Sequence, residues 1–358
     1  MEFDIKPKLV PGLKSFVYSQ LFVTPKPPKH SFAGQTIIVT GANSGLGLEA
    51  SRHFYQLGAA KLILAVRTPS KGQAAKEEIV RSVKGRSDGA TAIDVWALDV
   101  SSSASVLAFA ERVRRELPRV DVVLENAGVN NHAGFDSAEG IEATMQINVL
   151  NTFLLALALL PKLKETKSEF PASSPHLVIV SSDAHRLTKF VEINAPNIYE
   201  AFNDKSTYSG QARQVLLLLS PIALFQHYSK LLQLLVLREL VSRLKAKDQK
   251  AAGVTLNAVS PGLCVSNIDR GKGAPGLASR ILYSIFYRTA EVGSRTLVHG
   301  AFAGPDTNGE YLVDLKKTPV EWWIDTDMGR RVQRKAYEQT VKILEERKPG
   351  ILQEAGLA

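Results

Sequence analysis

The 358-residue chain, 45% hydrophobic and 22% charged, has ordinary globular composition and enough apolar material for a sizeable buried core. Its lone cysteine, Cys264, excludes a disulfide framework and a cysteine-rich metal site, suits a reducing compartment, and reads as a structural thiol. The net charge of +9 does not argue for nucleic acid, because the basic residues are spread along the chain instead of forming one stripe.

The first segment, Met1–Ser31, carries little periodicity but concentrates Lys6, Lys8, Lys14, Lys26 and Lys29 among Phe16, Tyr18 and Phe22. A solvated N-terminal extension (residues 1–31) is the plainer reading, and weak peripheral contact with an anionic membrane surface is the other. The segment holds neither a small-residue cleavage site nor an apolar run long enough to span a bilayer. A cytoplasmic protein without an integral membrane segment is therefore expected.

From residue 32 onward, strand and helix patterns alternate. Short β-branched or apolar runs stand at Thr36–Thr40, Leu62–Val66, Ala92–Leu98, Val120–Leu124, Leu177–Ser181 and Val254–Val259. Helical periodicity fills Leu46–Leu57, Lys71–Val83, Ala104–Leu117 and Ile141–Leu163. Such alternation predicts right-handed βαβ units, hence an α/β fold: a Rossmann-type doubly wound parallel sheet of about seven strands with helices on both faces. Another strand near Gly309–Val313 and a last helix from about Met328 to Glu346 complete the pattern. With no repeat or linker, residues 32–358 read as a single domain.

The chemistry begins at the first βα turn. Gly41-Ala-Asn-Ser44-Gly45-Leu46-Gly47 follows the first strand and leads into a helix. Glycines there permit a tight turn and close approach of the backbone to a pyrophosphate, which sits at the positive end of the helix. An acid about 20 residues beyond the glycines would bind the ribose 2′-hydroxyl of NAD. At that distance from Gly47 stands Arg67, with Lys71 nearby and no carboxylate. A guanidinium suits a 2′-phosphate, so the cofactor expected is NADP(H).

The spacing G-x-x-x-G-x-G resembles that of the short-chain dehydrogenase/reductase family, and the further landmarks occur in order. Asp99 resembles the family's adenine-contacting aspartate, and Asn126-Ala-Gly128 its N-A-G motif, with Glu125 in place of the more usual asparagine. Asn148 resembles the helix asparagine that holds a water in the proton relay, and Ser182 the catalytic serine. Lys230 resembles the lysine that binds the nicotinamide ribose, and Pro261-Gly262 with Ser266 the loop beside the nicotinamide. The resemblance runs from about Gly34 to Glu346 and is nearest to the retinol-dehydrogenase-like branch found in fungal natural-product pathways. Singly, Asp99 also reads as a helix N-terminal acid, Asn148 as a backbone-satisfying residue and Ser182 as a polar strand end.

One landmark departs from the pattern. The family's tyrosine stands four residues before its lysine, where this chain has Gln226; the nearest tyrosine is Tyr228, two residues before Lys230. A four-residue offset shares a helix face, whereas two residues point about 200° apart. Tyr228 can serve as the acid only through an irregular helix start, for which Pro221 in the apolar insertion Val215–Phe225 gives an opening. The catalytic candidates are accordingly Ser182, Tyr228, Lys230 and Asn148. The cofactor-binding candidates are Gly41, Ser44, Gly45, Leu46, Gly47, Arg67, Asp99, Asn126, Lys230 and Ser266.

Two functions stay open. One is NADP(H)-dependent hydride transfer to or from a carbonyl or secondary alcohol of a bulky apolar, natural-product-like substrate. The other is a redox-inactive relative that catalyses an isomerisation or cyclisation, or only binds cofactor, because Gln226 can donate a hydrogen bond but no proton at neutral pH. A methyltransferase needs an acid where Arg67 stands, and no cluster of His and acidic residues suggests a metal. The substrate-side insertion near 189–227, the segment Leu263–Phe286 and Trp322-Trp323 should border the pocket, with the two tryptophans equally readable as packing anchors. The resemblance leaves room for a homo-oligomer.

Overall fold

The computed structural model describes residues 3–5, 8–130, 135–204, 224–247, 253–265 and 286–358. The predicted apolar runs become strands β1 (Thr36–Thr40), β2 (Lys61–Val66), β3 (Ile93–Ala97), β4 (Val122–Glu125), β7 (His176–Val180), β8 (Thr255–Ser260) and β9 (Tyr311–Val313), and all of their pairings are parallel. An eighth strand, β10 (Lys316–Lys317), pairs antiparallel with β9 at the edge. It adds one strand to the seven expected, and its two exposed lysines blunt that edge against further pairing. The order is β10-β9-β8-β7-β4-β1-β2-β3. Strand order reverses between β1 and β4, which opens a crevice at their carboxyl ends.

Because parallel strands are covered on both faces, their residues alternate between two cores. Ile37, Val39, Leu62 and Leu64 lie under α2 (Gly45–Gln56), α3 (Pro69–Ser82) and α7 (Ala290–Gly300). Ile38, Ile63, Val123 and Ile179 lie under α4 (Ser103–Glu116), α5 (Thr152–Glu169) and α6 (Leu224–Lys247). Helix α8 (Asp327–Arg347) packs outside α6, so α6 is buried on nearly every side from His227 to Val236. This placement accounts for the leucine-rich stretch Leu231–Leu237, interrupted only by Gln233.

Two local expectations change. The stretch Ile141–Leu163 is not one helix: β6 (Ile141–Glu142) pairs with β5 (Ser137–Ala138), a π-helical segment covers Gln146–Asn151, and α5 starts at Thr152. Asn151 Nδ2 donates to the Val100 carbonyl at 2.8 Å and Asn148 pairs with the Val129 backbone, so side chains of this irregular segment are tied to loops outside it. The helical stretch Ala143–Glu169 is long and apolar enough to cross a membrane, yet 94% of its apolar window is buried inside the protein.

The N-terminal segment is not a solvated extension. Helix α1 (Leu9–Phe22) lies on the body, Ile5 is buried in the core, and Phe3 exchanges backbone bonds with the Asn194 side chain at 2.6 and 2.9 Å. These partners are distant in sequence, so local periodicity does not show them. Trp323 is buried while Trp322 is 45% exposed, with Lys8 over its ring. Of the substrate-side insertion, residues 189–204 are seen, including a short helix at Ile198–Asn203; 205–223, with Pro221, lie outside the described residues.

At the amino ends of the strands, buried Asp121 joins three elements. Its carboxylate accepts from Thr36 N at 2.8 Å, Ser173 Oγ at 2.6 Å and Arg119 Nε at 2.8 Å. Asp121→Asn should lower the unfolding free energy by about 2 kcal/mol, because a partly buried guanidinium loses its counter-charge. Urea unfolding of the two proteins checks this.

Candidate active site

The site is assembled at the carboxyl ends of β1, β4 and β7. After β1, Gly41 and Gly45 adopt φ of +66° and +56°, the left-handed conformation that favours glycine. A Cβ on Gly47 would stand 2.5 Å from both Asn126 Nδ2 and Gly41 O, so no larger residue fits. Asn126 Nδ2 donates to Thr40 O at 2.9 Å, while Thr40 Oγ1 accepts from Asn126 N at 3.0 Å and Ala127 N at 2.9 Å. The Asn126 side chain is thus committed to bracing the glycine turn from β4. Ser44 caps α2 by position only, since its hydroxyl accepts no first-turn N–H. That end of the helix is left to a phosphate, and the glycine cradle fits a dinucleotide. Leu46 packs toward Gly293 on α7 beside Cys264 and Pro261.

Arg67 follows β2, is exposed, and makes no hydrogen bond or ion pair with the described residues. Lys71, also exposed, lies in the first turn of α3. Asp99 is half-buried, and its Oδ1 accepts from Ser101 N at 2.9 Å and Ser101 Oγ at 2.7 Å. The acid therefore shapes the start of α4, where Ser102 is the cap.

Lys230 and Ser182 come together through β7. Lys230 Nζ donates to the Val180 carbonyl at 2.7 Å, and Ser181 Oγ donates to the Lys230 carbonyl at 3.3 Å. Ser182 follows directly; its Oγ accepts from Ala184 N at 3.2 Å, leaving the hydroxyl hydrogen to donate elsewhere. Asn148 accepts from Val129 N at 2.9 Å and donates to Val129 O at 2.9 Å and Ser229 Oγ at 3.1 Å. Its carbonyl accepts from Gln233 Nε2 at 2.7 Å. Asn148 is thereby the brace between the β4 loop and α6.

Tyr228 meets different surroundings. It is 5% exposed, packs against Phe190 and Phe202 at ring separations of 6.3 and 5.4 Å, and its hydroxyl meets Thr188 and Glu192. Burial, reinforced by Glu192, pushes that hydroxyl above the ordinary tyrosine range. Regular helix at Tyr228 and Lys230 sets the two side chains about 200° apart, and no irregular start that would reconcile them is found among the described residues. Gln226 lies in α6 by its backbone; Ser266 lies outside the described residues, as does Tyr208, another tyrosine that precedes Lys230 in the sequence.

Sequence reasoning missed Thr40, whose hydroxyl joins β1 to β4, although its place at the strand end before Gly41 was a usable signal. It also missed Asp183, half-buried beside Ser182, where desolvation raises the carboxyl against the opposing pull of Arg186 at 3.4 Å. Glu125, in the N-A-G neighbourhood, is fully buried with one carboxyl oxygen unpartnered among the described residues, and burial favours its neutral acid. Burial pushes the Cys264 thiol up to about 12, which makes it inert.

Burial lowers the Lys230 ammonium from its ordinary 10.5 to about 8. Between those values the unfolded chain binds the extra proton, so this group makes stability rise as pH climbs through that window, and its penalty is fully present below it. Lys230→Met should therefore raise the thermal midpoint of the ligand-free protein at pH 7, with the advantage shrinking toward pH 10. Thermal melts of both proteins across that range measure it; a lower midpoint for the variant at pH 7 would contradict the burial argument.

A short chain dehydrogenase family profile matches residues 35–192. A short chain dehydrogenase/reductase of Cryptosporiopsis sp. is 39% identical over 94% of this chain and 98% of that one. A short chain dehydrogenase of Emericella nidulans is 42% identical over 84% of this chain and 90% of that one. Among solved structures, an uncharacterized protein from Mycobacterium paratuberculosis superposes with a TM-score of 0.57 at 24% identity, covering 88% of this chain and 95% of that one. A 3-oxoacyl (acyl-carrier-protein) reductase from Agrobacterium tumefaciens with NADP bound does so with 0.56 at 18%, covering 79% and 93%. With the glycine cradle, the Ser182–Lys230 arrangement and relatives alike over nearly their whole length, the chain belongs to the short-chain dehydrogenase/reductase family of oxidoreductases.

Proposed function

We propose that the enzyme uses NADP(H) to interconvert a carbonyl and a secondary alcohol on a bulky apolar, natural-product-like substrate. The observation that carries the cofactor choice is Arg67, exposed at the end of β2, without a hydrogen-bond or ion-pair partner among the described residues. Bound, the nicotinamide supplies or accepts the hydride. Around it, the open first turn of α2 holds the pyrophosphate and Arg67 the 2′-phosphate. Lys230 spends one N–H on Val180 and keeps the others for ribose hydroxyls. Ser182, with its hydroxyl hydrogen uncommitted, donates to the substrate oxygen and stabilises developing charge there.

A specific observation keeps the second reading in view. Tyr228 packs among Phe190, Phe202, Thr188 and Glu192, and Gln226 stands four residues before Lys230. If no tyrosine reaches the substrate oxygen, the pocket shapes an apolar molecule for isomerisation or cyclisation, or holds cofactor alone. For the redox reading, the sequence offers Tyr208 as the proton donor. Removing the 18 residues Gln211–Tyr228 leaves Tyr208-Ser-Gly-Ser229-Lys230, the four-residue spacing of the family.

Wild type should bind NADPH at least roughly tenfold more tightly than NADH, because a charge-assisted phosphate contact is worth well over 1 kcal/mol. Arg67→Asp should erase or reverse that preference in a fluorescence titration. Equal affinities of the wild type for the two cofactors would refute the assignment.

NADPH oxidation against a panel of apolar ketones separates the two readings. In the redox reading, Tyr208→Phe should cost a factor of about 10² to 10⁴, the usual worth of a general acid, and Tyr228→Phe only a few-fold. Loss on Tyr228→Phe alone would return the proton step to Tyr228. In the second reading the wild type binds NADPH and reduces nothing, whereas Gln226→Tyr or deletion of Gln211–Tyr228 creates reductase activity.

A further inference from the structure

The N-terminal helix reaches the nicotinamide side of the site through one side chain. Gln20, near the carboxyl end of α1, is only 8% exposed. Its amide pairs with Leu263 in the manner of a neighbouring strand: Nε2 donates to Leu263 O at 3.1 Å and Leu263 N donates to Oε1 at 3.1 Å. The same Nε2 also donates to Phe286 O at 2.7 Å. Leu263 and Phe286 belong to the two stems of the stretch between β8 and α7. The stems are themselves paired, Arg288 N to Leu263 O at 2.8 Å and Val265 N to Arg288 O at 3.0 Å.

A second buried side chain answers from the opposite direction. Arg288 sends Nη2 to the Ser19 and Val23 carbonyls at 2.8 and 3.0 Å, which satisfies carbonyls at the end of α1, and Nη1 to Asp314 at 2.8 Å and Pro261 O at 3.3 Å. Between these groups lies the Pro261-Gly262 turn. Gly262 has φ of +76°, and a Cβ there would stand 2.3 Å from Gln20 Oε1 and 2.9 Å from Arg288 Nη1. On the far side, Gly293 is close-packed against Cys264, Leu46 and Pro261, so the same turn also abuts the first helix of the phosphate cradle.

We propose that Gln20 is a positioning residue for the cofactor site: its amide locks both stems of the segment after β8 and so sets where the Pro261-Gly262 turn stands beside the nicotinamide end. The role of that turn rests on the function proposed above; the clamp itself rests only on the contacts just given. A buried amide with three backbone bonds to a single loop is the means by which α1, lying outside the doubly wound sheet, controls the site. Its bonds do not involve Arg67, so the clamp tunes affinity for the nicotinamide half without altering the choice between NADPH and NADH.

Gln20→Met keeps the side chain's volume and removes all three bonds. Hydrogen exchange of the cofactor-free protein should then speed up roughly tenfold or more at the Leu263, Val265 and Arg288 amides, the worth of a lost buried bond or two. Exchange in β1 and β7 should be unchanged. Affinity for whichever nicotinamide cofactor the wild type prefers should fall about tenfold, seen as a raised KM with kcat at saturation within about twofold, and the NADPH-to-NADH ratio should stay at its wild-type value. Asp121→Asn, a destabilising change at the other end of the sheet, should leave loop exchange and cofactor affinity unaltered. Unchanged exchange at Val265 and Arg288, faster exchange with wild-type affinity, or the same affinity loss in Asp121→Asn would each overturn the proposal. A wild type that binds NADH as well as NADPH would defeat the Arg67 assignment alone, because the Gln20 comparison can be made with either cofactor.

Discussion

The tie between Thr40 and Asn126, made across the point where strand order reverses, is the constraint on which the site depends. At such a reversal the chain departs from β1 and β4 to opposite faces and a crevice opens by default. Left unbraced, two loops carrying exposed backbone amides would flank it. The Thr40 hydroxyl takes the Asn126 and Ala127 amides, and the Asn126 side chain takes the Thr40 carbonyl, so both loops become one rigid edge. Gly47 then closes against that edge at a distance that admits no Cβ. The open helix end above it is consequently held at one height, as phosphate binding requires.

A second consequence concerns α6. Its place between the sheet and α8 buries almost everything it carries, Lys230 included, and the lysine's charge is tolerated at the cost of a lowered affinity for its proton. The Val180 carbonyl at the end of β7 gives the ammonium one partner, and the Ser181 hydroxyl beside it donates to the Lys230 carbonyl. Strand and helix are thereby laced beside Ser182, and a chemically useful cation sits where packing alone would prefer a methionine. The same helix turns Tyr228 toward Phe190 and Phe202. One regular helix cannot present both residues to a single substrate atom, which makes the proton donor the central chemical question of this enzyme.

The N-terminal segment shows why composition is a poor guide to a segment's role. Its lysines and aromatics describe a surface helix, which α1 is on its outer side: Tyr18 and Phe22 are 62% and 72% exposed. What attaches it is polar and long-range, through Gln20, Ser19 and the carbonyls that meet Arg288. A glutamine in an exposed-looking helix carries no sign that its amide will be buried between two loop stems.

Most of the architecture was legible in the chain itself. β-branched runs alternating with helical periodicity imply a parallel sheet, because each strand must be covered on both faces and each crossover needs a helix to return. The glycine turn was legible for a similar reason, since its conformations and close approaches exclude other residues. The helix at Ile141–Leu163 misled, because periodicity records apolar spacing and is blind to the long-range side-chain bonds that Asn148 and Asn151 make to loops. Asn126 was recognisable as a motif residue, but only the folded chain shows that its amide braces the turn. Spacing likewise placed Lys230 and raised the doubt about Tyr228, while packing decided what each side chain meets. Local sequence determines elements and close backbone approaches because those constraints act between near neighbours; Gln20, Asp183 and Glu125 take their environments from residues far along the chain, and that assignment exists only after the sheet has assembled.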